Sequence, residues 1–209
     1  MNCLVCDRPS INLFLEVDDK IYWKCDHCLV IFLDQKFRLS LPEEKNRYQQ
    51  HNNDIHDKDY RLFLSKLFNP LKLKLQPEAK GLDYGCGPGP ALAEMFLEEG
   101  FKMDIYDPLF YKDERIFSKT YDFITCTETI EHFFEPAKEI NRLDKMLAKE
   151  GVLGLMTTFL SDEKDFEQWY YRKDPTHVVF YRPRTFEIIA NMMGWAYEVP
   201  DKDVVLFKK

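Results

Sequence analysis

The segment that most constrains the fold is residues 81–90, which read Gly-Leu-Asp-Tyr-Gly-Cys-Gly-Pro-Gly-Pro. A short apolar stretch leads into alternating glycines at 85, 87 and 89, and a helical pattern follows. Glycine permits a sharp turn and a close approach of the backbone to a ligand, because it has no Cβ. The first turn of the next helix carries unpaired N–H groups. The segment therefore predicts a strand, a tight loop and a helix that together cradle a ligand.

A second apolar stretch, residues 101–106, ends in Asp107. In a parallel sheet its carboxylate would lie beside the glycine loop, where ribose hydroxyls are bound, so the two features predict a cofactor that contains a nucleoside. The dinucleotide fingerprint G-x-G-x-x-G/A requires glycine or alanine at position 90, but the chain has Pro90 there. NAD and FAD are therefore disfavoured.

The loop resembles motif I of class I S-adenosylmethionine (SAM) methyltransferases, in which an acidic residue precedes G-x-G-x-G. Residues 121–132, Tyr-Asp-Phe-Ile-Thr-Cys-Thr-Glu-Thr-Ile-Glu-His, resemble the family's fourth strand and the loop after it, and residues 147–158 read as a helix end, a turn at Gly151 and a strand that resembles its fifth. The resemblance covers residues 79–209 and implies an α/β, Rossmann-like sheet. It implies that the residues in contact with SAM are Asp83, Gly85, Cys86, Gly87, Gly89, Asp107, Pro108 and Thr127.

The connection after the second strand departs from the family pattern. Only 14 residues, 108–121, reach from Asp107 into the fourth strand, whereas a helix, a strand and a second helix need more than about 20 residues. The third strand is therefore predicted to be missing, with a sheet order of 2-1-4-5-7-6 in the family's numbering and an irregular flap over 108–120. Pro108, Leu109 and Phe110 are the nearest apolar candidates for contact with adenine, and edge packing is the alternative role for them.

Four cysteines indicate a second feature, at the N-terminus. Cys3-x-x-Cys6 and Cys25-x-x-Cys28 are separated by 18 residues, as in a four-cysteine zinc ribbon. Residues 11–17 and 20–23 would form a hairpin between the two pairs. Disulfides are the alternative, which a reducing cytosol disfavours. A closed four-thiolate shell leaves no open coordination position, so the zinc would be structural.

Residues 40–70 predict a helical cap between the ribbon and the sheet. Ser40-Leu41-Pro42-Glu43 starts a polar helix over 43–50, and a second helix over 59–68 is predicted to stop at Asn69-Pro70. Leu62, Phe63 and Leu67 would form its buried face. The expected divisions are 1–38 for the ribbon-like module, 39–78 for the cap and 79–209 for the SAM-binding domain.

Cap residues are also candidates for ligand contact. Tyr48, His51 and Tyr60 could touch cofactor or substrate if the cap folds over bound SAM, as the resemblance implies. The alternative is that Tyr60 belongs to the core and that the other two are solvated.

The candidate catalytic residues follow the fourth and fifth strands. His177 lies in an aromatic and charged segment, 169–181, and follows Asp174 at helical or turn distance, so it is the first candidate for a base. His132, with Glu131 before it, is the second candidate. Arg172, with Lys173 after it, could bind a carboxylate or phosphate, and a solvated basic pair is the alternative.

Composition sets limits on the partners. With 209 residues, 45% of them hydrophobic, the chain is long enough for one compact domain with an appendage. No apolar run approaches the length of a membrane span and the N-terminus lacks a secretion signal, so a cytoplasmic protein is expected. The net charge of −7 disfavours nucleic acid. The oligomeric state stays open.

These features predict a SAM-dependent methyltransferase that modifies a small molecule at oxygen, nitrogen or carbon. Two alternatives stay open. One is an RNA or protein methyltransferase that docks its substrate through the zinc ribbon, and the other is a non-catalytic SAM-binding protein. Zinc-bearing N-termini occur both in some sugar C-methyltransferases and in a class of ribosomal RNA methyltransferases, so the ribbon alone does not decide the substrate.

Overall fold

A computed structural model describes residues 1–48, 54–161 and 166–209, which form two β-sheets and five α-helices. The strands are β1 (Ile11–Val17), β2 (Lys20–Cys25), β3 (Ile31–Leu33), β4 (Lys80–Tyr84), β5 (Lys102–Tyr106), β6 (Tyr121–Thr127), β7 (Leu147–Met156), β8 (Val179–Phe180), β9 (Ala196–Asp201) and β10 (Val204–Lys208). The helices are α1 (Leu41–Tyr48), α2 (Lys58–Lys72), α3 (Ala91–Glu98), α4 (Pro136–Met146) and α5 (Pro183–Met193).

The central sheet has six strands in the order β5-β4-β6-β7-β10-β9. In the family's numbering this order is 2-1-4-5-7-6, so the predicted arrangement without a third strand is confirmed. The first four strands of this order are parallel, and β10 runs antiparallel to both of its neighbours. Residues 108–120 contain a short 3-10 helix, Glu114–Ser118, and Tyr111 forms an isolated bridge with Asp107.

Helices cover both faces of this sheet because successive strand residues point to opposite sides. On β6, Phe123 packs with α2 and α3, whereas its neighbour Ile124 faces α4 and α5. Gly154 of β7 lies directly under α2, where an added Cβ would stand 2.9 Å from a methyl carbon of Leu67. The glycine therefore lets α2 settle close to the sheet.

The predicted end of α2 at Asn69-Pro70 is wrong, because the helix continues through Pro70 to Lys72. One more turn buries Leu71 completely against the sheet, and this burial outweighs the single backbone hydrogen bond that proline cannot donate. The predicted buried face was also partly wrong. Leu62 is 70% exposed, and Leu64 is buried instead.

The N-terminal sheet has the order β1-β2-β3-β8. Asp18 and Asp19 join β1 to β2 with φ angles of 51° and 57°, the conformation of a two-residue hairpin turn, so the predicted hairpin is confirmed. The last strand comes from the far end of the chain, and Phe32 of β3 pairs with Val179 of β8. The ribbon therefore shares a continuous hydrophobic core with one face of the central sheet.

Among the residues that the structure describes, no helix is both long enough and apolar enough to cross a membrane.

Candidate active site

A cavity of about 910 Å³ opens at the carboxyl ends of β4, β5 and β6. The loop after β4 and the ends of β5 and β6 line one side of it, and the loop after β6, α1, α2 and residues between 170 and 177 line the other. Ligands of open parallel sheets bind at this edge, so the cavity is the candidate active site.

The glycine loop forms the part of the cavity next to β4. Gly85 and Gly87 have φ angles of 79° and 62°, in the left-handed region that glycine tolerates. A Cβ on Gly85 would stand 2.2 Å from the Thr129 methyl carbon, and the Thr129 hydroxyl lies 3.1 Å from the Gly85 carbonyl oxygen. The loop is therefore pressed against the turn that follows β6, and there is no room for a side chain between them.

Asp107 lies beside this loop, as predicted from its position at the end of β5. One of its carboxylate oxygens accepts a hydrogen bond from the backbone N–H of Gly87 at 3.1 Å, and the other accepts from the N–H groups of Leu109 and Phe110. These bonds fix the carboxylate at the cavity wall. Pro108, Leu109 and Phe110 line the cavity next to it.

Two other residues predicted to bind cofactor lie behind the cavity wall. Asp83 is buried below the loop, where it accepts a hydrogen bond from the Thr125 hydroxyl at 2.8 Å, and burial raises its pKa to about 6. Gly89 accepts a hydrogen bond from Ala91 at the start of α3. Neither residue is among those that line the cavity, so a direct contact of either with a cofactor stays a prediction.

The other predicted cofactor residues do line the cavity. Cys86 is largely buried, and burial raises the pKa of its thiol. The Thr127 hydroxyl is buried and has no hydrogen-bond partner among the described residues. Since buried polar groups are rarely left unpaired, the Thr127 hydroxyl marks a place where a ligand group is expected. A nucleoside cofactor thus fits the Gly85–Gly87 cradle, the fixed Asp107 carboxylate and this hydroxyl.

The predicted catalytic residues meet at the opposite wall. The backbone turns sharply after β6 because Glu128 has a φ of 46°, and a 3-10 helix, Ile130–His132, follows. The N–H of Val178 donates to the carbonyl of Glu131 at 2.9 Å, which brings His177 beside this helix. The imidazole rings of His132 and His177 lie 4.8 Å apart between centroids.

Both imidazoles are held by backbone carbonyls. His132 Nδ1 lies 2.9 Å from the carbonyl oxygen of Thr176, and His177 Nδ1 lies 2.8 Å from that of Tyr171. A carbonyl only accepts, so each Nδ1 is the donor, and in a neutral ring Nε2 then keeps its lone pair. Burial lowers the pKa of His177, which favours the neutral ring.

Glu131 is fully buried between these histidines and β7. Its Oε2 accepts a hydrogen bond from the Thr157 hydroxyl at 3.0 Å, and Thr157 in turn lies 2.9 Å from the Tyr171 hydroxyl. Its Oε1 lies 3.8 Å from His132 Nε2 and makes no hydrogen bond with the described residues. Sequence reasoning missed Thr157. Its position just past β7 was a usable signal, since the carboxyl ends of parallel strands meet at the same edge of the sheet.

The Asp174 carboxylate is engaged by groups other than His177, although the two residues are close in sequence. The carboxylate bonds to the hydroxyl of Thr176 at 2.6 Å and to Arg47 at 2.8 Å. Burial acts to raise the pKa of Asp174, but these bonds outweigh it and hold the pKa well below its ordinary value. Only the backbone turn from Asp174 to His177 is as expected.

Arg172 was a candidate for anion binding, and the structure places it elsewhere. Its guanidinium is buried under the hairpin turn, where it bonds to Asp18 at 2.7 Å and to the Tyr22 hydroxyl at 3.3 Å. The residue therefore ties the ribbon to residues 166–172. Tyr170 and Lys173 do line the cavity.

The cap lies over the cavity, as expected. Tyr48 and Tyr60 both line it, and the Tyr48 ring lies 5.3 Å from the His132 ring. Burial raises the pKa of Tyr60 to about 12 and that of Glu44 on α1 to about 7. Neither Glu44 nor Arg47 was expected from the sequence, because the helix reads as uniformly polar. His51, the third predicted contact, lies outside the described residues.

The four N-terminal cysteines form a separate, buried cluster. The sulfur atoms of Cys3 and Cys28 lie 3.6 Å apart, as do those of Cys6 and Cys25, and all four lie within 4.8 Å of one another. A tetrahedral zinc ion with Zn–S bonds of about 2.3 Å separates its sulfur ligands by about 3.8 Å. The arrangement therefore fits a zinc ion and contains no disulfide bond.

The sheet order and the site at its carboxyl edge define the class of the protein as a class I methyltransferase. A sequence model described as "Methyltransferase domain" matches residues 55–198, and the chain belongs to this methyltransferase domain family. No curated protein matches the chain in sequence.

Solved structures share the fold at low sequence identity. Human N-acetylserotonin methyltransferase in complex with SAM aligns with a TM-score of 0.54 and 14% identity, over 69% of this chain and 50% of the human one. The present chain thus spans half of that protein. The 1,6-didemethyltoxoflavin-N1-methyltransferase of Burkholderia thailandensis, with 1,6-didemethyltoxoflavin and S-adenosylhomocysteine bound, aligns with a TM-score of 0.53 and 11% identity, over 95% and 99% of the two chains.

Proposed function

We propose that this chain is a SAM-dependent methyltransferase that transfers a methyl group to a small-molecule acceptor. The observation that carries the proposal is that one cavity joins a glycine cradle with a fixed carboxylate on one wall to a cluster of proton-accepting side chains on the other. A methyltransferase needs both walls, since donor and acceptor must be held in line.

The first wall fits the cofactor. At Gly85 to Gly87 a ligand can approach the backbone closely. The Asp107 carboxylate, held by the Gly87 N–H, would bind the ribose hydroxyls. The buried Thr127 hydroxyl has no hydrogen-bond partner among the described residues and could bond to the cofactor. Pro108 and Phe110 supply apolar surface for a base. When bound there, SAM supplies a methyl group that is already activated by the sulfonium charge.

The second wall fits a small acceptor. A cavity of about 910 Å³ is at the upper end of ligand pockets, which span about 300–1,000 Å³, and leaves room for a second molecule beside the cofactor. The cap helices α1 and α2 line it, which restricts large substrates. The two aligned methyltransferases have names that refer to small acceptors, N-acetylserotonin and 1,6-didemethyltoxoflavin, and this supports the same class here.

The acceptor is expected to meet Glu131, His132 and His177. Methyl transfer from SAM requires a nucleophile, and a hydroxyl or amine acceptor must lose a proton during or after the reaction. The free Nε2 atoms of the two imidazoles and the unpaired Glu131 Oε1 are the groups at this wall that can bind a proton donor.

We further propose that Cys3, Cys6, Cys25 and Cys28 hold a structural zinc ion. The ribbon has three short strands, needs β8 to complete its sheet and packs its buried side chains into the core of the central sheet, so it has no separate core of its own. The cluster is buried and none of its cysteines lines the cavity, and four thiolates complete a tetrahedral shell. The ion would therefore stabilise the fold without entering the chemistry.

The deciding experiment incubates the purified protein with methyl-labelled SAM and a fractionated lysate. Label in the small-metabolite fraction supports the proposal. Label confined to RNA or protein would overturn the small-molecule assignment in favour of docking through the ribbon. Isothermal titration with SAM is run in parallel, and an absence of binding would overturn the cofactor assignment itself.

A further inference from the structure

We propose that Glu131, His132 and His177 form a second metal site, which binds a divalent first-row transition-metal ion at the acceptor wall of the cavity. Each of the three side chains contributes one ligand atom, and no two of these atoms are more than 4.8 Å apart. Some point therefore lies within about 2.8 Å of all three, compared with metal–nitrogen and metal–oxygen bonds of about 2.1 Å. Shifts of less than about 1 Å would close the shell.

The two imidazoles are prepared as ligands. Metal-bound histidines usually donate their other ring N–H to a carbonyl or carboxylate, which fixes the ring and directs the lone pair at the ion. His132 does this through Nδ1 to Thr176, and His177 through Nδ1 to Tyr171. The His132 and His177 rings therefore have the same arrangement, with Nδ1 as the donor and Nε2 available to bind a cation.

The carboxylate is prepared in the same way. Thr157 donates to Glu131 Oε2 at 3.0 Å and so fixes the plane of the group, whereas Oε1 is buried, lacks a hydrogen bond among the described residues and lies 3.8 Å from His132 Nε2. Glu131 is 0% exposed. A fully buried carboxylate oxygen without a partner is costly, and a cation at this point would remove the cost.

The ligand set selects the kind of ion. Two imidazoles and one carboxylate on one side of an ion form the facial arrangement typical of Fe²⁺, and the set suits Mn²⁺ and Co²⁺ as well, while Mg²⁺ prefers oxygen ligands only. Three protein ligands leave coordination positions open, and all three residues line the cavity.

The open positions would bind oxygen atoms of the acceptor, a step that rests on the proposed function. A cation there would hold a hydroxyl acceptor and lower its pKa, as bound metals do for water, so that the hydroxyl proton would pass to solvent water as the oxygen takes the methyl group. The imidazoles would then act as ligands. In the metal-free alternative one of them accepts the acceptor's proton directly.

The test loads the protein with a single equivalent of zinc per chain, which the four thiolates bind first, then titrates it with MnCl₂ and follows free Mn²⁺ by electron paramagnetic resonance. Mn²⁺ is chosen because thiolates disfavour it, so the cysteine cluster does not compete. We expect one Mn²⁺ per chain, and at least a tenfold loss of affinity in Glu131→Gln and His177→Ala. The exposed His56 supplies the matched control, since His56→Ala should bind as tightly as the wild type.

Histidine NMR of the unaltered protein gives a second readout that needs no variant. Bound Mn²⁺ should broaden the ring signals of His132 and His177 and leave those of His27 and His56 sharp. Three results would overturn the proposed metal site. They are no binding at millimolar Mn²⁺, undiminished Mn²⁺ affinity in both variants, and signal broadening confined to His27 or His56. SAM titration of the same samples separates the metal-site proposal from the proposed function. If SAM binds normally and Mn²⁺ does not bind, only the metal-site proposal is overturned.

Discussion

Arg47 on α1 bonds through its guanidinium to the carboxylate of Asp174 at 2.8 Å, and this contact joins the cap to the segment that carries His177. Both side chains line the cavity. The pair therefore links two parts of the wall that are distant in sequence.

Arg47→Met should weaken SAM binding modestly by loosening the cap. The pair is partly exposed, so its loss is worth about 1 kcal/mol, or about fivefold in affinity. Isothermal titration gives the affinity, and hydrogen exchange over 41–48 should rise in parallel. Arg115→Met is the matched control, since Arg115 pairs with Asp113 in solvent. Equal effects of both changes would contradict a role in closing the cap.

Gly85→Ala should lower SAM affinity by at least about tenfold. Its Cβ would collide with Thr129 at 2.2 Å, and relieving such a collision costs about 1–3 kcal/mol. Gly100→Ala separates the collision from backbone strain, because Gly100 also has a positive φ, of 87°, but has nothing within 4 Å of the added carbon. That control should lose some stability and keep its SAM affinity. Similar affinities for the two variants would argue against the cradle.

Glu44→Gln should raise stability at pH 8 and leave it nearly unchanged at pH 5. Burial raises the pKa of Glu44 from 4.5 to about 7. A raised pKa favours the folded state while the group is protonated, and this contribution is lost as pH rises from about 4.5 through 7. Thermal unfolding from pH 5 to pH 8 measures the loss, which the variant should lack.

The neighbouring Glu43 supplies the control for this pH profile. It is exposed and bonds to Ser40, which lowers its pKa, so its contribution is already complete above pH 5. Glu43→Gln should therefore keep the wild-type decline toward pH 8. A decline of the wild-type size in Glu44→Gln would assign the effect to another group.

Cys25→Ser should reduce bound zinc from about one ion per chain to none and lower the melting temperature. The matched change Cys86→Ser, at a buried thiol outside the cluster, should keep one zinc. Metal analysis gives the count. Because Phe32 pairs with Val179, hydrogen exchange should also rise at residues 178–180 in Cys25→Ser. Retention of zinc in that variant would contradict the ligand set.

Much of the fold was readable from local patterns. Each of four local patterns predicts one feature. The glycine loop and the acid at the end of β5 predict a cofactor site, the short connection after β5 predicts the missing third strand, and the cysteine spacing predicts the ribbon. The structure has the predicted strand order. These signals are local because turns and metal knuckles depend on a few adjacent residues. Pro70 misled the prediction, since tertiary burial of Leu71 overrode a local stop signal.

The candidate site was readable only in part. His132 and His177 were named from their segments, but their contact depends on the backbone bond from Val178 to Glu131, which joins segments far apart in sequence. The burial of Arg172 under the hairpin was equally hidden, because its partner Asp18 lies in the ribbon. Side chains whose roles depend on such distant partners carry no signal in their own neighbourhood.

The pairing of β3 with β8 also bears on how the chain is made. The ribbon's strands are synthesised well before β8, so the outer edge of β3 stays uncovered until Val179 and Phe180 have left the ribosome. Contacts of such long sequence separation form late and slowly. The nascent ribbon therefore keeps an open strand edge until β8 has been synthesised.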